Sequence, residues 1–139
     1  MTMQECIRFA TEHPVCSLAT VDGDQPRVRA FLLWRANEDG FYFETFNPKD
    51  VYEQLKNNPK VEICFFNNEP DLEKAKTMRL TGEVEFLDDP DLKQQLLADW
   101  PFLQDAEPVL EIFRVYSGEA FFWTMADVLK EKAIERVRF

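Results

Sequence analysis

The chain has 139 residues, of which 45% are hydrophobic and 30% charged, and its formal net charge is −10. That length favours one domain, residues 1–139, burying roughly two thirds of the unfolded surface. The acidic balance argues against nucleic acid, whose phosphates it would repel, and no apolar run is long enough to span a membrane.

From the start, Thr2-Met3-Gln4-Glu5 has the form of a capping box, and it predicts a helix to about Glu12 that His13-Pro14 ends. Residues 15–21 (VCSLATV) read as a buried strand, and 22–26 as a turn. The next strand alternates. Val28, Ala30, Leu32 and Trp34 form an apolar side expected to face the core, while Arg27, Arg29, Phe31, Leu33 and Arg35 form the other. A turn at Asn37-Glu38-Asp39-Gly40 leads into a return strand over 41–45. Asn47 and Pro48 read as N-cap and first position of a helix that runs to Asn57. Lys49 in that first turn opposes the helix dipole unless something negative sits there. An anion held between Arg29 and Lys49 accounts for both cations; the alternative is an ordinary solvated strand face.

Residues 60–67 predict a strand, 69–75 an acidic loop, and 76–88 a long strand in which Gly82 marks a bulge or a close approach. Asp89-Pro90 opens a helix over 91–100. Strands over 111–116 and 120–125 are separated by a turn near Ser117-Gly118, and a helical turn about 127–131 precedes a last strand over 134–139. About seven mostly long strands with two or three short helices between them give a mainly β, α+β chain, in which antiparallel strands close or split a barrel. The 13 phenylalanines exceed what a small barrel needs inside, so some are expected at an interface.

Cys6, Cys16 and Cys64 match no disulfide or zinc pattern and read as core fillers in a reducing cytoplasm; no secretory signal opens the chain. The single His13 excludes multi-histidine metal sites, so no metal ligands are nominated.

Residues 13–31 (HPVCSLATVDGDQPRVRAF), Phe43-Glu44-Thr45, residues 49–63 and the block Met78-Arg79-Leu80-Thr81-Gly82-Glu83-Val84 together resemble the FMN-binding split-barrel family related to pyridoxamine 5′-phosphate oxidase. The resemblance implies an antiparallel six-stranded split β-barrel, a homodimer, and FMN at the dimer interface. It implies that Arg29, Ala30, Phe31 and Leu32 line the flavin, that Glu44 and Thr45 touch its ribityl and phosphate, and that Lys49 lies in the phosphate turn. Arg79, and Phe122 or Trp123, are implied contacts from the second subunit. The oxidases differ: their Arg-Lys pair falls nearer Asp50 and Val51, a Lys stands where this chain has Trp34, and their C-terminal Arg-x-His is missing here. The implied function is a small FMN oxidoreductase passing electrons from NAD(P)H to a small-molecule acceptor rather than an oxidase of pyridoxamine phosphate. The alternative is a flavin-binding or electron-transfer module without turnover.

Overall fold

The computed structural model describes residues 2–139. Helix α1 (Met3–Glu12) starts as its capping box requires: Thr2 Oγ1 accepts from the Glu5 N–H at 3.2 Å, and Glu5 Oε2 accepts from the Thr2 N–H at 2.6 Å. It lays Cys6, Phe9 and Ala10 against the sheet. There follow β1 (Val15–Asp22), β2 (Gln25–Leu32), β3 (Arg35–Asn37), β4 (Gly40–Phe46), α2 (Asp50–Asn57), β5 (Lys60–Phe66) and β6 (Lys76–Leu87). Helix α3 (Pro90–Asp99), capped by the Asp89 carboxylate, runs into a 3-10 stretch (Pro101–Val109), then β7 (Leu110–Thr124), two short 3-10 turns and β8 (Val137–Arg138). Among the described residues, no helix is long and apolar enough to cross a membrane.

The strands form one antiparallel sheet in the order β2-β1-β5-β6-β7-β4-β3, with β8 on β7. The hydrogen-bonded path is open, which is the α+β, split-barrel class expected. Its two edge strands are nevertheless neighbours in the chain. The Leu33 N–H donates to the Pro14 carbonyl and the Trp34 N–H to the Tyr42 carbonyl, both at 2.9 Å, so two residues step from one edge to the other. That step breaks the single strand expected over 26–35 into β2 and β3.

Inside lie Leu18, Phe41, Phe43, Ile63, Phe65, Met78, Leu80 and Phe113, all fully buried. Phe43 stacks on Phe113 at 5.5 Å between centroids, and Phe31 meets both edge-on. Phe9, Phe121 and Phe122 are buried too, leaving only Phe66 and Phe102 in the exposed class. Most of the phenylalanines therefore fill the interior, and Phe66 and Phe102 stay on the surface.

The facing of β2 is the reverse of that expected. Phe31 and Leu33 are buried, whereas Val28 is 68% exposed and Leu32 42%. The cause is register: Cys16 pairs with Phe31 and Leu18 with Arg29, so these share the inward face of β1. Periodicity was ambiguous because both faces of β2 carry apolar side chains. Trp34 also leaves the barrel. It packs with Leu96, Leu103, Leu110, Ile112 and Trp100 in a second cluster under α3, and its Nε1 donates to Asp99 at 2.9 Å.

Asn47 does not cap α2. Its backbone N–H donates to the Val109 carbonyl at 2.9 Å and its side chain to Glu111 at 3.3 Å, which ties it to the start of β7. Lys49 becomes the N-cap, without a side-chain cap bond. The turn expected at Ser117-Gly118 is absent, and β7 runs unbroken. Gly118 pairs with Gly82 beside a register shift at Glu83/Val84, the bulge that Gly82 announced. A Cβ on Gly118 would stand 1.7 Å from the Thr81 carbonyl oxygen, so the two strands approach where only glycine fits. The last strand shrinks to Val137–Arg138, held by mutual backbone bonds between Phe139 and Gly118.

Candidate functional site: a cationic cleft beside helix α2

A cleft of about 900 Å³ opens between β2 and α2, with Arg27, Arg29 and Ala30 on one wall and Lys49, Glu53 and Gln54 on the other. β2 is an edge strand whose second side carries unpaired backbone groups, so the wall offers main-chain donors and acceptors as well.

Arg29 is inward-facing but sits at the barrel's end, where polar groups receive it. Its Nη1 donates to Thr20 Oγ1 at 2.8 Å and to the Leu18 carbonyl at 3.3 Å, and its Nη2 donates to Gln54 Oε1 at 2.6 Å. The Thr20 hydroxyl in turn donates to the same Gln54 oxygen at 2.6 Å. Thr20 and Gln54 are 2% and 9% exposed, so this triad locks the guanidinium's orientation. Burial, then neighbouring Arg27, pull the Arg29 pKa below its ordinary value, and Asp50 opposes them. An added negative charge would relieve both. Neither Thr20 nor Gln54 was nominated from sequence. The signal was there, in a Thr on the inward side of VCSLATV and a Gln on the Val51–Leu55 face of α2.

Lys49 stands at the helix start with its Nζ 5.6 Å from the Phe31 ring centroid. Among the described residues, neither Arg29 nor Lys49 has a carboxylate at ion-pair distance, although Arg27 is paired with Asp22 at 3.2 Å. At the adjoining end of β4, Glu44 Oε2 and Thr45 Oγ1 are shielded from solvent and have no hydrogen-bond partner. Such orphaned groups are rare in a finished interior and mark a place where a partner is missing. Burial pushes the Glu44 carboxyl above its ordinary range, and the Lys49 charge works the other way.

Of the residues nominated, Arg29, Ala30 and Lys49 line the cleft together. Phe31, Leu32, Glu44 and Thr45 do not line it: the Phe31 ring is in the core, and Leu32 points outward. Arg79 is elsewhere: it pairs with Glu62 at 3.0 Å and Glu131 at 3.4 Å. Register puts Ala30, Ser17, Cys64, Arg79 and Phe121 in one outward row across five strands. At the usual strand spacing, Arg79 is about 14 Å from Ala30. Trp123, opposite Thr77, shares that outer face, whereas Phe122 is buried inside against Phe9. Cys6 and Cys16 are core fillers, their thiols pushed up by burial to about 11 and about 12. Cys64 is half-buried on the outer face.

Residues 2–123 match the sequence profile of the pyridoxamine 5′-phosphate oxidase family. The chain belongs to that family. Among solved structures of similar shape is a NimC/NimA family protein from Clostridium acetobutylicum, 30% identical, with a TM-score of 0.80 over 99% of this chain and 92% of that one. A pyridoxamine 5′-phosphate oxidase-related, FMN-binding protein from Nostoc punctiforme shares the fold at 15% identity, with a TM-score of 0.68 over 99% of this chain and 95% of its own. A pyridoxine/pyridoxamine 5′-phosphate oxidase from Pelagibacter ubique is 44% identical over 50 residues, 35% of this chain. That match spans about a quarter of the Pelagibacter protein, 24% of its length.

Proposed function

We propose that this member of the pyridoxamine 5′-phosphate oxidase family binds FMN in the cleft and works as a small cytoplasmic oxidoreductase, taking electrons from NAD(P)H and passing them to a small acceptor. The observation that carries the reading is an oriented Arg29 facing an unpaired Lys49 at a helix start. Two cations without carboxylates suit a terminal phosphate. When bound, the flavin supplies the hydride and electron chemistry. Arg29 and Lys49 hold the phosphate, the free edge of β2 meets the ring, and Thr20 with Gln54 keep Arg29 from swinging into solvent.

The second subunit enters through the outer sheet face. Val15, Val28, Leu32 and Phe66 are all exposed there, beside the small Ser17 and Ala30. An apolar sheet face of that kind calls for a self-complementary copy, which carries its own Arg79 and Trp123 on the same surface. The three free cysteines support a reducing compartment.

Oxidation of pyridoxamine phosphate is not part of the reading. Where the oxidases have a substrate-side Lys, Trp34 is committed to Asp99 and the cluster under α3. At the C-terminus, Arg136 stacks on Phe121 at 3.6 Å. The deciding experiment compares FMN and riboflavin affinity. Lys49→Ala should weaken FMN by roughly tenfold or more, the scale of one charge-assisted hydrogen bond, and riboflavin far less. Equal losses for the two flavins would overturn the phosphate site. FMN-loaded protein that fails to consume NAD(P)H would leave a flavin-binding module without turnover.

A further inference from the structure

A guanidinium carries five N–H donors in one plane. In Arg29, Nη1 donates to Thr20 Oγ1 and to the Leu18 carbonyl, and Nη2 donates once, to Gln54 Oε1. The Nε–H and the second Nη2 hydrogen remain. They are parallel neighbours on one edge of the group, the fork that fits two oxygens of a phosphate or carboxylate. The Gln54 atom that meets Arg29 has to be the amide oxygen, because a guanidinium only donates. That same oxygen accepts from the Thr20 hydroxyl at 2.6 Å, so one uncharged acceptor anchors two donors. Thr20 and Gln54 are buried, and Val51 and Leu55 seat the Gln54 face of α2 on the barrel. Arg29 is only partly buried and lines the cleft with Lys49. Among the described residues, no carboxylate stands at ion-pair distance from it.

We propose that Gln54 is a positioning residue that sets how strongly the cleft holds an anion: its neutral oxygen fixes the Arg29 guanidinium without cancelling its charge, which leaves the Nε–Nη2 fork to the ligand. The proposal rests on the phosphate reading of the cleft and names the residue on which selectivity for a charged end group depends. Two other ways of filling position 54 would fail. A carboxylate would hold Arg29 firmly but take up much of the field that the ligand needs. An apolar side chain would leave the field but free a long side chain to rotate, and the ligand would then have to order it. A neutral acceptor avoids both losses.

The test compares Gln54→Glu, which keeps the shape and adds a charge, with Gln54→Met, which keeps the length and removes the acceptor. In flavin fluorescence titrations at mildly alkaline pH, Gln54→Glu should weaken FMN about tenfold or more, the effect of one nearby charge in partly wet surroundings, and riboflavin about twofold or less. Its gap from the parent should close in acid, where the new carboxyl is protonated. The ionisation of the FMN phosphate is common to both proteins and cancels. Gln54→Met should weaken FMN less than Gln54→Glu does, by a factor that does not change with pH. Equal losses for the two variants, or equal losses for FMN and riboflavin, overturn the proposal. A flavin-free arm follows the Arg29 side-chain nitrogens by NMR. The two Nη signals should be distinct in the parent, where rotation of the guanidinium is blocked, and should merge in Gln54→Met. Inorganic phosphate should shift the Nε–H signal of the parent and leave that of Gln54→Glu in place. A guanidinium that rotates freely in the parent overturns the positioning role. If the parent does not prefer FMN to riboflavin, the phosphate reading falls, and the Nη signals still decide whether Gln54 holds Arg29.

Discussion

Glu44 and Thr45 are neighbours on one strand that point to opposite faces, and both are left wanting. Thr45 is 1% exposed with an unpartnered hydroxyl, so its desolvation is uncompensated in the free protein. Thr45→Val should therefore raise stability by about 1 kcal/mol in urea unfolding while weakening FMN. Unchanged FMN affinity would mean the hydroxyl serves no ligand. For Glu44 the folded pKa lies above the unfolded one. The stability linked to its proton is fully present below the unfolded carboxylate range and is lost as pH rises through the folded value. Glu44→Gln should accordingly melt higher than the parent at neutral pH and together with it in acid, as scanning calorimetry at the two pH values will show. Arg29 illustrates what was legible at this scale. Its importance was readable, since an Arg among apolar neighbours needs a reason. Its Thr20 and Gln54 partners were not, because they come from a strand and a helix 9 and 25 residues away.

Most element boundaries were readable, because caps and turns are local chemistry: Thr2 with Glu5, Asp89 with Pro90, Gly23 and Gly40 at positive φ. Two of the failures were at glycine and asparagine. Gly118 has the look of a turn residue, yet it is a strand residue whose partner backbone leaves no room for a side chain. Gly118→Ala should cost about 3 kcal/mol or more in urea unfolding, the range of severe overpacking, since the contact is with backbone that cannot rotate away. Gly23→Ala is the control. It meets nothing within 4 Å and has only its φ of +65° to strain, so its penalty should be about 1–2 kcal/mol. Equal losses at the two sites would refute the close-approach account of the bulge. Asn47 has the look of an N-cap but is drawn off by Val109 and Glu111, which leaves Lys49 at the helix start.

For the whole molecule, the acidic charge matters less than where the cations and apolar groups are collected. The outer face of β2, β1 and β5 exposes Val28, Val15, Leu32 and Phe66 together, the surface on which the proposed second copy would pack. Under the proposed pairing, Val28→Asp, at the most exposed of these, should convert a dimer of roughly twice 16.4 kDa into a monomer by light scattering, with near-parental melting of the chain itself. A parent protein that already scatters as a monomer would remove this role from the face.

The sequence by itself determined the class of the molecule. Long alternating strands with few helices, short connections and no glycine-rich phosphate loop leave an antiparallel α+β barrel, and the blocks around Arg29, Lys49 and Arg79 pointed to its family. These are local patterns, set by backbone sterics and side-chain period. Tertiary structure alone decided which way β2 faces, because both of its sides are apolar enough to be buried and only pairing with Cys16 and Leu18 selects one. The same pairing turned Trp34 out of the barrel and Arg29 in, to the polar end beside α2. A period of two cannot say which face is inside; the neighbouring strand can.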